Sequence, residues 1–172
     1  MPPYEPGRYV CIGTHGLDAT IVKIATRSPF SHVAMLTSIG GDLIQAMPGG
    51  MEYGHITDYA GCRMAANLAE PMSPVQQAQL VEAAEAMIGV RYNDLAIVDD
   101  GLRALGLVWG WLGNLANTDG AFDCSQALAL MGKAAGYDWS CGKKRLCEVT
   151  PGDLGRRKWM VPITVPEPGA RH

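Results

Sequence analysis

The fold can be read most directly from two apolar runs, Ser31-His32-Val33-Ala34-Met35-Leu36-Thr37 and, after Gly40-Gly41-Asp42, Leu43-Ile44-Gln45-Ala46-Met47. Both apolar runs have the composition of β-strands, and the residues between them are typical of a turn. The stretch therefore predicts an antiparallel hairpin. If Ser38 pairs with Leu43, Gln45 lies opposite Leu36 and shares a face with His32, because side chains alternate between the two faces of a strand.

The segments around this hairpin predict an α+β fold. Residues 9–12 form a short strand candidate, whereas residues 19–26 fit a strand or a short helix equally well. Ser73 and Pro74 predict the start of a helix over 75–88 that stops at Gly89. Two more amphipathic helices are predicted over 100–115 and 124–135, and an extended segment over 149–165. Strands first, helices next and a final strand favour α+β over alternating β-α-β units.

Length and composition predict one globular domain over residues 1–165 and a loose tail over 166–172. The chain has 172 residues, of which 48% are hydrophobic and 18% charged. Its net charge of -3 argues against nucleic-acid binding, which needs a basic surface. No signal peptide is predicted at the start, and the apolar stretch over 102–116 is too short to span a bilayer. We therefore expect no integral membrane segment; the oligomeric state stays open.

The five cysteines are an odd number and cannot all pair with one another. Together with the absence of an export signal, this predicts reduced thiols and a cytoplasmic location, although release by lysis or by a dedicated secretion machine would leave the same sequence. No Cys-x-x-Cys pair occurs, and Cys141 and Cys147 do not have the spacing of zinc ligands. We expect neither a metal site nor a cofactor.

The most informative motif is Asp123-Cys124-Ser125-Gln126. Asp123 is a good N-cap, and Gln126 stands three residues later, as in a capping box. Cys124 then lies in the first turn of a helix, where the backbone N–H groups and the helix dipole favour a thiolate. Two interpretations stay open at this point: a nucleophile, or a buried structural cysteine, since free cysteine is among the most buried residue types.

His32 is the natural base for such a nucleophile. It opens the first strand of the hairpin, so we expect it at the edge of the sheet near a loop. A cysteine nucleophile needs a base within hydrogen-bond reach, and histidine titrates in the suitable range. The alternative is a structural histidine on a half-apolar strand.

Four segments together resemble the permuted papain-like hydrolases, in the YiiX/YebB-like branch of the NlpC-type superfamily, which is distantly similar to the lecithin:retinol acyltransferase group. They are Ser31-His32-Val33-Ala34-Met35, Leu43-Ile44-Gln45-Ala46-Met47-Pro48, Gly89-Val90-Arg91-Tyr92-Asn93 and Phe122-Asp123-Cys124-Ser125-Gln126. The similar stretches run from about residue 9 to residue 154, and residues 149–154 resemble the closing turn of the family. The resemblance implies a circularly permuted papain-like fold, with an antiparallel sheet packed on helices and the nucleophile at a helix N-terminus.

The resemblance also implies the roles of individual residues. Cys124 would be the nucleophile, His32 the base, and Gln45 the third residue that orients the imidazole, where many relatives have a glutamate. Glutamine accepts a hydrogen bond from histidine but carries no charge to stabilise imidazolium. His55 and Glu52, both in a predicted loop, are the nearest substitutes for Gln45.

Two side chains, Tyr92 and Ser125, are candidates for an oxyanion or substrate-binding site. The backbone N–H of Cys124 is a further donor that can bind an oxyanion. For Tyr92, packing over a helix end is an equally good interpretation. The apolar segment 102–115 fits a core or dimer contact, and also a lid or an acyl-binding surface.

The expected function is a cysteine hydrolase that cleaves an amide or peptide bond through an acyl-enzyme. By resemblance, the substrate is a small peptide or a cell-wall peptide. Two alternatives stay open: a lipid acyltransferase or thioesterase with the same Cys124–His32 dyad, and a catalytically weak binding module.

Overall fold

The computed structural model describes residues 4–47, 49–90, 124–144 and 149–165. Six strands and four α-helices occur in these ranges. The strands are β1 (Tyr9–Gly13), β2 (His32–Leu36), β3 (Asp42–Met47), β4 (Gly50–His55), β5 (Arg63–Ala66) and β6 (Val161–Ile163). The helices are α1 (Leu17–Thr26), α2 (Pro74–Glu85), α3 (Cys124–Ala134) and α4 (Pro151–Gly155), and a 3₁₀ turn covers Ile56–Tyr59.

The strands form one sheet in the order β4-β3-β2-β1-β5-β6, and every neighbouring pair is antiparallel. The predicted hairpin of β2 and β3 is present, but its register differs from the expected one. Leu36 pairs with Leu43, and Ala34 pairs with Gln45. The difference moves the partner of Gln45 by two residues, from Leu36 to Ala34. Because side chains alternate with a period of two, Gln45 still shares a face with His32.

Helix termini follow the sequence signals closely. Ser73 and Gln76 form a capping box at the start of α2, with Pro74 in the first turn. This helix ends at Glu85, three residues before the predicted end, and a turn then leads to Gly89, whose φ of 78° suits glycine. Residues 17–26, undecided between strand and helix, form α1.

Two predictions for local structure are wrong. The segment 149–165 is not extended throughout: Thr150 and Asp153 form a capping box that starts α4, and only Val161–Ile163 is a strand. Glu52 and His55 lie in strand β4 rather than in a loop. Strands β4 and β5 have little alternation and several glycines or polar residues, so pairing with their neighbours, and not local propensity, determines them. The helix predicted over 100–115 and the tail over 166–172 lie outside the described residues.

The sheet separates two apolar clusters. One lies between the sheet and helices α2 and α3, which pack on each other and on β2, and it includes Cys11, Val33, Met35 and Ile44. The other lies on the opposite face and includes Ile12, Ala34, Leu36, Leu43 and Ile56. The alternation along β2 and β3 therefore assigns His32 and Gln45 to the face opposite the helices. No helix within the described ranges has the length and apolar character needed to cross a membrane.

Contacts at both ends of α3 fix its direction across the sheet. Near its C-terminal end, the Trp139 ring packs against Gly132 and, at 4.9 Å between centroids, against Tyr9 at the start of β1. At its N-terminal end, the Ser125 hydroxyl donates to the Val149 carbonyl at 2.8 Å.

Two residues beyond Val149, the Pro151 carbonyl lies 3.8 Å from the Cys11 sulfur. Cys11 pairs with Val33, the neighbour of His32. The N-terminus of α3, and with it Cys124, is therefore directed toward the end of β2 that begins with His32.

Candidate functional site

A direct hydrogen bond joins the predicted base and its predicted orienting residue. His32 Nε2 lies 3.1 Å from Gln45 Oε1. An amide oxygen only accepts, so Nε2 carries the proton and donates it. The lone pair of a neutral imidazole then resides on Nδ1, the nitrogen that would take a proton from a thiol. Gln45 itself is only 5% exposed, so its amide is held in a largely dry environment.

Space for the Gln45 amide is provided by strand β4. A Cβ placed on Gly54 would stand 2.6 Å from Gln45 Nε2, so only glycine leaves the amide where it is. Glu52, on the same strand, pairs directly with Gln45. The neutral amide thus avoids placing two carboxylates opposite each other, which would destabilise the strand pair.

Tyr59 is a site residue that the sequence analysis missed. Its hydroxyl donates to Gln45 Oε1 at 2.5 Å, and its ring lies 5.9 Å from the His32 imidazole between centroids. Gln45 Oε1 therefore accepts from two donors at once. No motif pointed to Tyr59, which lies 14 residues from Gln45 along the chain; only the hairpin between β3 and β4 brings the two together.

His55, considered as a substitute for Gln45, has a different role among the described residues. Its Nδ1 lies 2.6 Å from Thr57 Oγ1 and its Nε2 lies 3.1 Å from the Gly40 carbonyl. As N-cap, it also forms a capping box with Asp58 at the start of the 3₁₀ turn. His55 therefore anchors the turn that ends in Tyr59, and the hydrogen bond to His32 Nε2 is made by Gln45.

Cys124 is the first residue of α3, as the sequence predicts, and its thiol is not in a disulfide. The side chain is partly buried against the cluster between sheet and helices. Its charge, when the thiol is ionised, acts on Tyr59. Burial raises the pKa of the Tyr59 hydroxyl, the hydrogen bond with Gln45 opposes this increase, and the charges of Asp58 and Cys124 add to it. Cys124 thus lies within electrostatic reach of the hydroxyl that binds Gln45.

Of the two predicted oxyanion or substrate-binding side chains, the structure describes Ser125 but not Tyr92. The Ser125 side chain is fully buried and its hydroxyl donates to the Val149 carbonyl, so this side chain ties α3 to the segment before α4. A contribution of Ser125 to an oxyanion site would therefore come from its backbone N–H. Tyr92 and the cap residue Asp123 lie outside the described residues, as does the apolar segment 102–115.

Two other thiols of the described residues, Cys11 and Cys141, have surroundings that suppress reactivity. Burial raises the pKa of Cys11 far above its usual range, and the Cys141 charge adds to this effect. Burial also raises the pKa of Cys141, although Arg157 beside it partly opposes the shift. Since the thiolate is the nucleophilic form, both residues are expected to react slowly.

The described ranges contain no group of three or more His, Cys, Asp or Glu side chains arranged to hold a metal ion. In the region around His32, Gln45 bonds to both His32 and Tyr59, and Ser31 bonds to Thr14.

Comparison with known proteins finds similarity to solved structures. No family model matches the chain, and no curated protein matches it. Among solved structures, the chain is similar to the metalloprotein YiiX from Escherichia coli O157:H7, described as DUF1105. The TM-score is 0.62 at 15% sequence identity, and the match covers 96% of this chain and 100% of that one. The chain thus has a YiiX-like α+β fold built on a six-stranded antiparallel sheet, in agreement with the resemblance to the YiiX/YebB-like branch.

Proposed function

We propose that this protein is a cysteine hydrolase with a permuted papain-like, NlpC-type active site that cleaves an amide or peptide bond. Cys124 is the nucleophile, His32 the base and Gln45 the residue that orients His32. The single observation that supports this most strongly is the hydrogen bond from His32 Nε2 to Gln45 Oε1 at 3.1 Å. It lies at the end of the sheet toward which the N-terminus of α3 is directed.

The chemistry follows from this arrangement. His32 Nδ1 takes the thiol proton, and the Cys124 thiolate attacks the carbonyl carbon of the substrate. The tetrahedral intermediate collapses to a thioester as the C–N bond breaks, and the imidazolium gives its proton to the leaving amine. Water, deprotonated by His32, then hydrolyses the thioester and releases the carboxylate and the free thiol. Backbone N–H groups at the start of α3 would stabilise the oxyanion.

The family resemblance suggests the substrate class. The proposed substrate is a small peptide or a cell-wall peptide, as in the family that the sequence resembles. Because the Cys124–His32 dyad alone would also serve acyl transfer from lipids, the bond cleaved must be found by a direct comparison. We propose a screen of peptide amides against acyl thioesters and phospholipids, with the Cys124→Ala variant as the blank; turnover of the amides alone supports the peptide hydrolase.

One observation favours the lipid acyltransferase or thioesterase as the second candidate. Helix α1 exposes Leu17, Ile21 and Ile24 to solvent, at 85%, 65% and 72%, on one helical face. The segment that leads into α1 lies near the site, since Thr14 Oγ1, three residues before the helix, is 2.8 Å from Ser31 Oγ, next to His32. Exclusive turnover of acyl thioesters or phospholipids would favour this candidate over the peptide hydrolase.

Selective alkylation tests whether Cys124 is an activated thiol. With iodoacetamide below neutral pH, we expect Cys124 to be modified first, because a helix N-terminus and a neighbouring imidazolium stabilise its thiolate. Cys11 and Cys141 should lag, since burial raises the pKa of each and leaves less thiolate at a given pH. Mass spectrometry of the digested protein gives the rate at each cysteine. Equal rates at Cys124 and Cys141 would contradict the proposal and favour a binding module.

A further inference from the structure

Tyr59 contacts both partners of the His32–Gln45 hydrogen bond. Its hydroxyl donates to Gln45 Oε1 at 2.5 Å, and its ring lies beside the His32 imidazole with an interplanar angle of 35°. The same amide oxygen also accepts from His32 Nε2. Two donors therefore converge on one atom of Gln45.

This convergence has a consequence for the protonation of His32. A glutamine amide can rotate by half a turn and exchange its oxygen for its NH₂ group at nearly the same positions. With the oxygen toward His32, Nε2 must carry the proton and Nδ1 the lone pair. With the NH₂ group toward His32, the reverse holds, and Nδ1 is no longer a base.

We propose that Tyr59 is a positioning residue that selects the Gln45 amide orientation and thereby the tautomer of His32. Its hydroxyl favours the orientation with oxygen inward, because a phenol donates a stronger hydrogen bond to an amide oxygen than it accepts from an amide NH₂ group. The selected tautomer has its lone pair on Nδ1, as the base of a cysteine hydrolase requires. In a triad whose orienting residue is a neutral amide, this task falls to a neighbouring group because no carboxylate is present to perform it.

The surroundings of Tyr59 suit this role. Burial raises the pKa of its hydroxyl, and the charges of Asp58, Cys124 and Glu52 add to the increase. The hydrogen bond with Gln45 opposes this increase, but the net change is upward, so the phenol stays protonated and remains a donor. The 3₁₀ turn that presents Tyr59 is fixed at its other end. Ile56 is fully buried, and its N–H donates to the Gly41 carbonyl at 2.9 Å.

The test removes the Tyr59 hydroxyl and keeps the aromatic ring. In Tyr59→Phe we expect the rate of Cys124 alkylation by iodoacetamide, measured as a pH profile, to fall about 3- to 10-fold, the range for the loss of one net hydrogen bond. Nitrogen-15 NMR of the imidazole should show the Nε2–H tautomer of His32 giving way to a mixture. Tyr53→Phe is the matched control, since Tyr53 is 62% exposed on β4; it should match the wild type in both measurements.

Gly54→Ala provides a second route to the same change. The added Cβ would meet Gln45 Nε2 and displace the amide without removing any hydroxyl. We expect the same shift in tautomer, so the proposal stays testable if Tyr59→Phe does not fold. A wild-type His32 tautomer ratio and pH profile in either variant would overturn the role of Tyr59: in Tyr59→Phe because the hydroxyl is not needed, and in Gly54→Ala because the amide orientation does not set the tautomer.

The significance of this role for catalysis rests on the proposed function, but the NMR measurement does not. If the wild-type Cys124 reacts no faster than Cys141, the hydrolase proposal fails, whatever the tautomer of His32. If Cys124 is reactive and the tautomer is independent of Tyr59, only the positioning role fails.

Discussion

Cys124→Ala is expected to abolish turnover, with a loss of about 10⁴- to 10⁶-fold and little change in stability. The sulfur forms the covalent bond to the acyl group, and no other group in the described site can replace it. Alanine suits the first turn of a helix, and Cys124 is only partly buried, so the fold should persist. Turnover of the peptide amide found in the substrate screen, together with thermal unfolding, gives both quantities.

Two further variants sharpen this prediction. Cys124→Ser should be nearly inactive as well, because a hydroxyl is far harder to ionise than a thiol. Cys62→Ala is the matched control: Cys62, like Cys124, is partly exposed and not in a disulfide, but it packs against the cluster on the other face of the sheet, and its removal should leave turnover unchanged. Activity of Cys124→Ala above a few per cent of the wild type would remove Cys124 from the mechanism.

Gln45→Ala is expected to lower activity about 10- to 100-fold, which corresponds to about 1.4 to 2.8 kcal/mol of transition-state stabilisation. The variant removes the acceptor of the His32 Nε2 proton and the partner of the Tyr59 hydroxyl. Cys124 remains present and can still be alkylated, but the imidazole is no longer fixed. The rate of alkylation against pH measures this loss separately from substrate binding.

Gln45→Glu should change the pH profile in a defined direction. A carboxylate beside His32 stabilises imidazolium and raises the pKa of His32, so the thiolate–imidazolium pair persists to higher pH before the ring loses its proton. The substitution should also destabilise the pair of strands β3 and β4, because Glu52 pairs directly with this position and would face a like charge. Glu52→Gln combined with Gln45→Glu should recover the stability lost in the single variant.

His55→Ala decides between the two residues that were candidates to orient His32. The contacts of His55 with Thr57 and Gly40 predict a loss of stability of about 1 kcal/mol, as for other N-caps, with little effect on the alkylation profile. A wild-type profile in Gln45→Ala, together with an impaired one in His55→Ala, would contradict the assignment of Gln45.

Much of the fold could be predicted where the signal is local. The capping residues of α2, the start of α3 at Cys124 and the hairpin of β2 and β3 all depend on residues close in sequence. The pairing of His32 with Gln45 was predictable for the same reason. Its geometry depends only on the alternation of side chains in two strands joined by a short turn, and a register difference of two residues left it intact.

Two parts of the fold were not predicted correctly: a helix whose local capping signal was overlooked, and a strand that depends on a distant partner. The segment after Val149 was predicted to be extended, but the Thr150–Asp153 capping box starts a helix there. Strand β4 did not stand out, since Gly50 and Gly54 weaken its strand pattern. Pairing with β3 forms that strand, and the small size of Gly54 leaves space for the Gln45 amide.

The chemical groups of the candidate site could be identified without a structure: a cysteine at a helix start, a histidine at a strand start and a glutamine on the next strand. How these groups are held depends on contacts between distant parts of the chain. In the folded chain, the Gln45 oxygen accepts hydrogen bonds from His32 and Tyr59, and His55 caps the 3₁₀ turn that carries Tyr59. The physical reason is that alternation and capping act over a few residues, whereas the contacts of a buried amide depend on which strands and turns pack around it.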